Sequence, residues 1–304
     1  MRVCQNITDL IGRTPLLRIP CEGDASVFAK LESFNPGGSV KDRIAWAMIR
    51  RAEERGDIQP GATLIEPTSG STGIGLAMIA AARGYKAVIV MPDTMSVERR
   101  MLLHAYGARV VLTEGRLGMQ GAVAMAEEIA AHTPGSLILG QFVNPDNPEA
   151  HMLTTGPEIW ADLEGRVDAL VATIGTGGTI TGTGRYLKEQ NPAVRIIGVE
   201  PAESPLLSAG RAGSHGIQGI GANFIPDTLD RSVIDEVITV STENAMAQGR
   251  ALAREHGVLA GISSGAAMHA AIQVAQREAF AGKNIAVILP DTGERYLSTA
   301  MFSG

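Results

Sequence analysis

Between residues 62 and 289, short apolar runs alternate with helical periods, and glycine or proline marks most of the switches. Such a rhythm admits few folds, because strands separated by helices pair in parallel with the helices laid over the sheet. The clearest strand, Lys86-Ala87-Val88-Ile89-Val90-Met91, is apolar without alternation, as a strand buried on both faces must be. Around it the pattern predicts strands at 16–19, 27–32, 62–66, 109–112, 137–139, 167–174, 195–199, 236–240, 258–260 and 285–289. Helices are predicted at 74–83, 97–106, 118–131, 157–162, 180–189, 243–256 and 266–280, with Gly84 and Gly107 closing the first two. Asn144-Pro145-Asp146-Asn147-Pro148 reads as the boundary between two successive β-α units. The segment 200–230 has no period, and a loop of that length in a compact protein is usually functional or mobile. A cleft between two open sheets is a usual ligand site.

One stretch stands out for chemistry: Asn35-Pro36-Gly37-Gly38-Ser39-Val40-Lys41-Asp42-Arg43. Pro36, Gly37 and Gly38 break regular structure, and Ser39 is a natural N-cap. The helix that follows carries Ile44, Ala45, Met48, Ile49 and Ala52 on one face and stops near Gly56. Lys41 therefore sits in a first turn, where the helix dipole and burial both disfavour an ammonium. A neutral amine can form a Schiff base. Solvated charges at a helix start would read the same way in isolation, so the neighbouring loops decide.

Three loops lie between a strand and a helix start. Glu66-Pro67-Thr68-Ser69-Gly70-Ser71-Thr72-Gly73 offers four hydroxyls where one would cap a helix, which suits an anion such as a carboxylate. Gly175-Thr176-Gly177-Gly178-Thr179 suits a single phosphate. It has neither the dinucleotide spacing nor a Walker-type Gly-Lys-Ser/Thr ending. Gly261-Ile262-Ser263-Ser264-Gly265 supplies another serine at a helix start. A lysine, a monophosphate cradle and a carboxylate site together describe pyridoxal phosphate and an amino-acid substrate.

Composition narrows the rest. In 304 residues a net charge of −6 leaves no basic footprint for nucleic acid. No apolar run reaches membrane-spanning length, and the N-terminus lacks the apolar core of a signal peptide. The two cysteines, Cys4 and Cys21, could form a disulfide. Two thiols in a large acidic chain point more often to a reducing cytoplasm. Neither cysteine has metal-type spacing and the six histidines do not cluster, so no metal site is expected.

The chain resembles the cysteine synthases (O-acetylserine sulfhydrylases) of the pyridoxal-phosphate β-family, nearer the A-type, which uses free sulfide, than the B-type. The resemblance runs nearly end to end. It is carried by the lysine loop, the hydroxyl loop and the glycine loop. Also matching are Met91-Pro92-Asp93-Thr94-Met95-Ser96, Gln141-Phe142-Val143-Asn144-Pro145, Gln218-Gly219-Ile220-Gly221 and Gly293-Glu294-Arg295-Tyr296-Leu297-Ser298-Thr299. It implies an α/β fold of two open, mostly parallel twisted sheets flanked by helices, the tryptophan-synthase-β-like fold type II. A smaller domain at 35–145 would carry the lysine and carboxylate loop. A larger one, 1–34 plus 146–304, would carry the phosphate loop.

The resemblance further implies that Lys41 holds the cofactor as an internal aldimine and later acts as base at Cα. Gly175, Thr176, Gly177, Gly178 and Thr179 would hold the phosphate, and Ser263 would meet the pyridine nitrogen. Thr68, Ser69, Gly70, Thr72 and Gln141 would bind the substrate carboxylate, with Gly219 and Gly221 facing the substrate. O-acetyl-L-serine would lose acetate to leave an α-aminoacrylate, and sulfide would add to give L-cysteine. Ser71 stands where relatives usually carry an asparagine that contacts the cofactor's 3′ oxygen. Formation of cystathionine, S-sulfocysteine or cyanoalanine, and cysteine desulfhydration, use the same lysine and loops. A third expectation is a low-activity relative that docks to serine acetyltransferase. A homodimer and a cytoplasmic location are expected by the same resemblance.

Overall fold

A computed structural model describes residues 3–68 and 70–303. Ten strands follow in chain order: β1 (Leu16–Ile19), β2 (Ser26–Leu31), β3 (Thr63–Pro67), β4 (Lys86–Pro92), β5 (Arg109–Thr113), β6 (Ser136–Ile138), β7 (Ala169–Thr173), β8 (Arg195–Pro201), β9 (Glu236–Val240) and β10 (Asn284–Leu289). The helices are α1 (Lys41–Arg55), α2 (Ser71–Arg83), α3 (Val97–Ala105), α4 (Gly118–Ala131), α5 (Asp146–Leu153), α6 (Thr155–Asp162), α7 (Gly178–Gln190), α8 (Leu206–Ala209), α9 (Thr242–His256) and α10 (Ile262–Ala275).

The strands form two sheets. One has the order β5-β4-β3-β6, parallel throughout. The other has the order β1-β2-β10-β7-β8-β9, parallel except for the edge pair β1–β2. The apolar run of β4 is buried from Ala87 to Met91, with helices α2 and α4 against it. Helix α1 buries Ile44, Ala45, Met48, Ile49 and Ala52 completely and ends at Gly56, whose φ of +79° suits glycine. Each face of the larger sheet has its own apolar cluster. One is filled by α9 and α10, the other by α6 and α7.

Several boundaries differ from the sequence expectation. Helix α2 starts at Ser71, not Ile74, because Ser71, Thr72 and Gly73 form its first turn. The expected break at 144–148 becomes the start of α5: Pro145 precedes it and Pro148 lies in its first turn, where no intrahelical N–H is needed. Residues 258–260 form no strand; Ala260 makes one isolated bridge to Thr292. Helix α10 begins at Ile262 and ends at Ala275, short of the expected 280. Ser39 caps from one residue further out than expected, its hydroxyl accepting from the Lys41 N–H at 3.3 Å while Val40 adopts a helical backbone.

Candidate active site

The lysine loop is pinned from both sides. The Gly37 N–H donates to Asp42 Oδ2 at 2.6 Å, and the Gly12 N–H donates to Asn35 Oδ1 at 2.8 Å. Beyond it, the Val40 N–H donates to the Pro290 carbonyl at 2.8 Å, and Ser39 bridges Asp291. Two residues into α1, Arg43 is buried and donates to both oxygens of Glu32 and both of Glu158 at 2.8–2.9 Å. Lys41 is thereby delivered into the cleft where the two sheets meet. Burial draws its ammonium below the ordinary lysine value, with the Asp291 and Glu32 carboxylates opposing. No hydrogen-bond or ion-pair partner for its Nζ exists among the described residues.

The cleft measures about 240 Å³. From the smaller sheet it is walled by Thr68, Ser71, Thr72 and Gln141. The Thr72 hydroxyl donates to Gln141 Oε1 at 2.6 Å, and Gln141 Nε2 donates to the Pro67 carbonyl at 3.2 Å. Buried Glu66 accepts from the Gly140 and Gln141 N–H groups at 2.8 and 3.0 Å, which fixes the turn that presents Gln141. Burial pushes its carboxyl up to about 7 against those bonds. From the larger sheet the wall is Gly175, Thr176, Gly219, Gly221 and Ser263.

A smaller recess of about 30 Å³ continues inward and adds Gly177 and Thr179, with Lys41 and Ser263 on its rim. Gly175 and Gly177 are packed too closely against their neighbours to carry side chains. A Cβ on Gly175 would stand 2.6 Å from the Gly219 carbonyl, and one on Gly177 would strike Leu229. Gly177 has a φ of +82° and precedes α7, so the cradle opens at a helix N-terminus. The Thr179 hydroxyl meets His151 Nε2 at 3.2 Å, and His151 Nδ1 meets the Thr155 hydroxyl at 2.8 Å. Burial, then the Arg43 and Lys41 charges, hold His151 well below the usual histidine value, so the ring is neutral.

Two expected residues do not line the cleft. Gly178 makes room for Asn147, whose Oδ1 would lie 1.8 Å from an added Cβ. Gly70, with a φ of +140°, makes room for Arg99, whose Cδ would lie 2.2 Å from one. Ser69 lies outside the described residues. Pattern reading also passed over Asn147, which is fully buried and donates to the Gln141 carbonyl at 2.7 Å and to Thr176 Oγ1 at 3.0 Å. It ties the carboxylate side of the cleft to the phosphate side. Arg99 was missed as well: its guanidinium donates to Gln218 and, at 2.9 Å, to the Tyr296 hydroxyl. An asparagine inside a presumed breaker and an arginine on a polar helix carry no local signal of either role.

Pyridoxal phosphate fits these residues. The glycine cradle admits one phosphate at a helix start. The Lys41 amine stands free across the same recess for its aldehyde, and the Ser263 hydroxyl has no other partner among the described residues.

The family profile described as pyridoxal-phosphate dependent enzyme matches residues 7–291. The chain is 53% identical to a cysteine synthase of Staphylococcus aureus over 302 residues, 98% of this chain and 97% of that one. It is 54% identical to cysteine synthase A of Escherichia coli over 302 residues, covering 96% and 94%. Among solved structures, cysteine synthase from Entamoeba histolytica superposes with a TM-score of 0.95 at 42% identity, covering 99% of this chain and 91% of that one. A hydrogen sulfide-producing enzyme from Fusobacterium nucleatum does so with a TM-score of 0.95 at 44% identity, covering 97% and 100%.

Proposed function

The chain belongs to the pyridoxal-phosphate-dependent enzymes, and from that premise we propose that it makes L-cysteine and acetate from O-acetyl-L-serine and sulfide. The observation that carries this is the free Lys41 amine, set between a hydroxyl-rich wall and a one-phosphate cradle. When bound, pyridoxal phosphate supplies an aldehyde for amines and a ring that draws electrons from the substrate's Cα.

The protein's own groups do the rest. The Gly175 to Thr179 loop would hold the phosphate, with Thr179 oriented by neutral His151. Ser263, which lines the recess, would meet the ring nitrogen with a hydroxyl and not a carboxylate, and a hydroxyl would not protonate that nitrogen, so the ring would be a weaker electron sink. That favours loss of a group from Cβ over transamination. Thr68, Thr72 and Gln141, which line the cleft, would bind the substrate carboxylate together with Ser69, while Gly70 makes room for Arg99 instead. The Thr72–Gln141 hydrogen bond sets the spacing of those two side chains. Gly219 and Gly221 leave the opposite wall open to the substrate. Lys41, whose ammonium form burial disfavours, would take the Cα proton as acetate leaves Cβ and return it after sulfide has bonded to Cβ. The two halves occur in turn, with acetate gone before sulfide enters.

The reading divides the chain into 35–145 and 1–34 plus 146–304. The four-stranded sheet lies within the first and the six-stranded sheet within the second, which supports it. It also takes the protein as a cytoplasmic homodimer whose cleft can receive the C-terminus of a serine acetyltransferase. In support, both cysteines are unpaired, and no described helix is long and apolar enough to cross a membrane. The likeness to a hydrogen sulfide-producing enzyme favours a second reading, release of sulfide from cysteine by the same lysine.

Borohydride reduction followed by peptide mapping should place the cofactor on Lys41. A panel of O-acetylserine, O-phosphoserine, serine and cysteine against sulfide, thiosulfate and homocysteine then ranks the reactions. A colourless protein, or a visible band that ignores O-acetylserine, would sink the cysteine-synthase reading.

A further inference from the structure

Strand β10 ends at Leu289, and its continuation is stitched to the lysine loop. The Pro290 carbonyl accepts from Val40, Asp291 bridges Ser39, and the Thr292 N–H donates to the Gly38 carbonyl at 3.2 Å. Asp291 is thus fixed beside the first turn of α1 and shares the cleft wall with Lys41. It is 3% exposed. Its Oδ2 accepts from the Tyr296 hydroxyl at 2.6 Å, while its Oδ1 is buried with no partner among the described residues. The absence of a side chain at Gly261 admits that oxygen, since a Cβ there would stand 2.2 Å from it.

The cycle makes a demand that this arrangement meets. As acetate leaves, the Cα–H electron pair moves toward Cβ, the Cβ–O pair departs with acetate, and the proton goes to the Lys41 amine. Until sulfide has bonded to Cβ and the proton returns to Cα, Lys41 is an ammonium in a site where burial disfavours charge. Two carboxylates act on it, Asp291 and Glu32. Glu32 is already committed to Arg43 through both oxygens and to Thr14 and Asn35. Asp291 keeps one oxygen uncommitted. The groups facing Asp291 are Arg295, Tyr296, Arg99 and Lys41. Burial raises the Asp291 carboxyl above its ordinary value, and the Arg295 charge, the Tyr296 hydrogen bond and the Arg99 and Lys41 charges pull the other way, so a proton carried on Lys41 favours the carboxylate.

We propose that Asp291 is the counter-charge that lets Lys41 hold the abstracted proton between the two halves of the reaction. It is a positioning residue, acting through Lys41, and its role rests on the reading of Lys41 as the proton carrier.

Asp291→Asn and the smaller Asp291→Ser remove the charge in two different volumes, so one that folds suffices. In the full chain freed of cofactor, pulses of acetic anhydride across a pH series, followed by peptide mass mapping, read the unprotonated fraction of Lys41. Loss of Asp291 should lower the labelling midpoint by about one pH unit, a tenfold loss of proton affinity. In the loaded enzyme, the pH at which the sulfide half-reaction fails should fall with it. An unmoved midpoint in a folded variant overturns the proposal. Borohydride mapping separates this from the reading beneath it. Label on Lys41 with an unmoved midpoint removes only the role of Asp291, whereas label on another lysine removes the role of Lys41 too.

Discussion

Replacing Gly178 by alanine tests whether the two halves of the cleft are mechanically joined. The new methyl would stand 1.8 Å from Asn147 Oδ1, where 3.4 Å is the near edge of ordinary contact. Asn147 is fully buried, so its amide must retreat by most of that deficit. A shift of that size breaks its bonds to the Gln141 carbonyl, at 2.7 Å, and to Thr176, at 3.0 Å. Leaving a buried donor without partners costs about 1–3 kcal/mol, and overpacking adds about as much. If half of that falls on the phosphate loop, the cofactor's dissociation constant rises by roughly 10-fold, at 1.4 kcal/mol per factor of ten. Because Asn147 also holds the Gln141 turn, the KM for O-acetylserine should rise in the same variant. Titration of the cofactor-free chain with pyridoxal phosphate, followed by fluorescence, measures the first effect and steady-state kinetics the second. Affinity and KM both within twofold of wild type would refute the idea that Asn147 couples the two walls.

Other outcomes are expected from the same geometry. Arg43→Met strands the fully buried Glu32 carboxylate and should cost about 3–5 kcal/mol in denaturant unfolding, much of it recovered by adding Glu32→Gln. An equal loss in the single and double variants would count against an ion-pair origin. Burial alone would raise the Glu158 carboxyl, but the hydrogen bonds and charge of Arg43 hold it at about 2, below its ordinary 4.5. Its contribution, about 3 kcal/mol, is therefore present above pH 4.5 and lost as pH falls from there toward 2. Glu158→Gln should flatten that limb of stability against pH. The Ser71 hydroxyl lines the cleft and accepts from Arg295 Nη1 at 3.2 Å. Ser71→Asn should shift the visible spectrum and kcat, and identical spectra and rates would show that the position tolerates either residue.

Much of the framework was legible because its signals are local. Helix α4 coincides with the predicted 118–131, and the run at 86–91 is the core of β4, since periodicity and bounding glycines suffice there. The start of α5 was not legible, because Pro145 and Pro148 read as breakers although a helix's first turn accepts proline. The three-residue run at 258–260 lacked the length to tell a strand from an extended connection. In the site, loop composition brought Lys41, Thr72, Thr176 and Ser263 to notice, and the fold gathers them around one cleft. The supports stayed hidden because their partners come from remote parts of the chain: Arg99 with Tyr296, His151 with Thr179, Asp291 beside Lys41. Sequence spacing cannot foretell which polar residues a three-layer packing will bury together.

The stitching of Gly38, Ser39 and Val40 to residues 290–292 bears on how the protein comes to life on the ribosome. The lysine belongs to an early helix, yet its seat is completed by a strand that is among the last to be made. A nascent chain lacking β10 has no neighbour on the inner edge of β2 and no anchor for the loop ahead of Lys41. Vitamin capture is therefore a late event in biogenesis, and a truncated translation product should remain colourless however much of its smaller sheet has already formed.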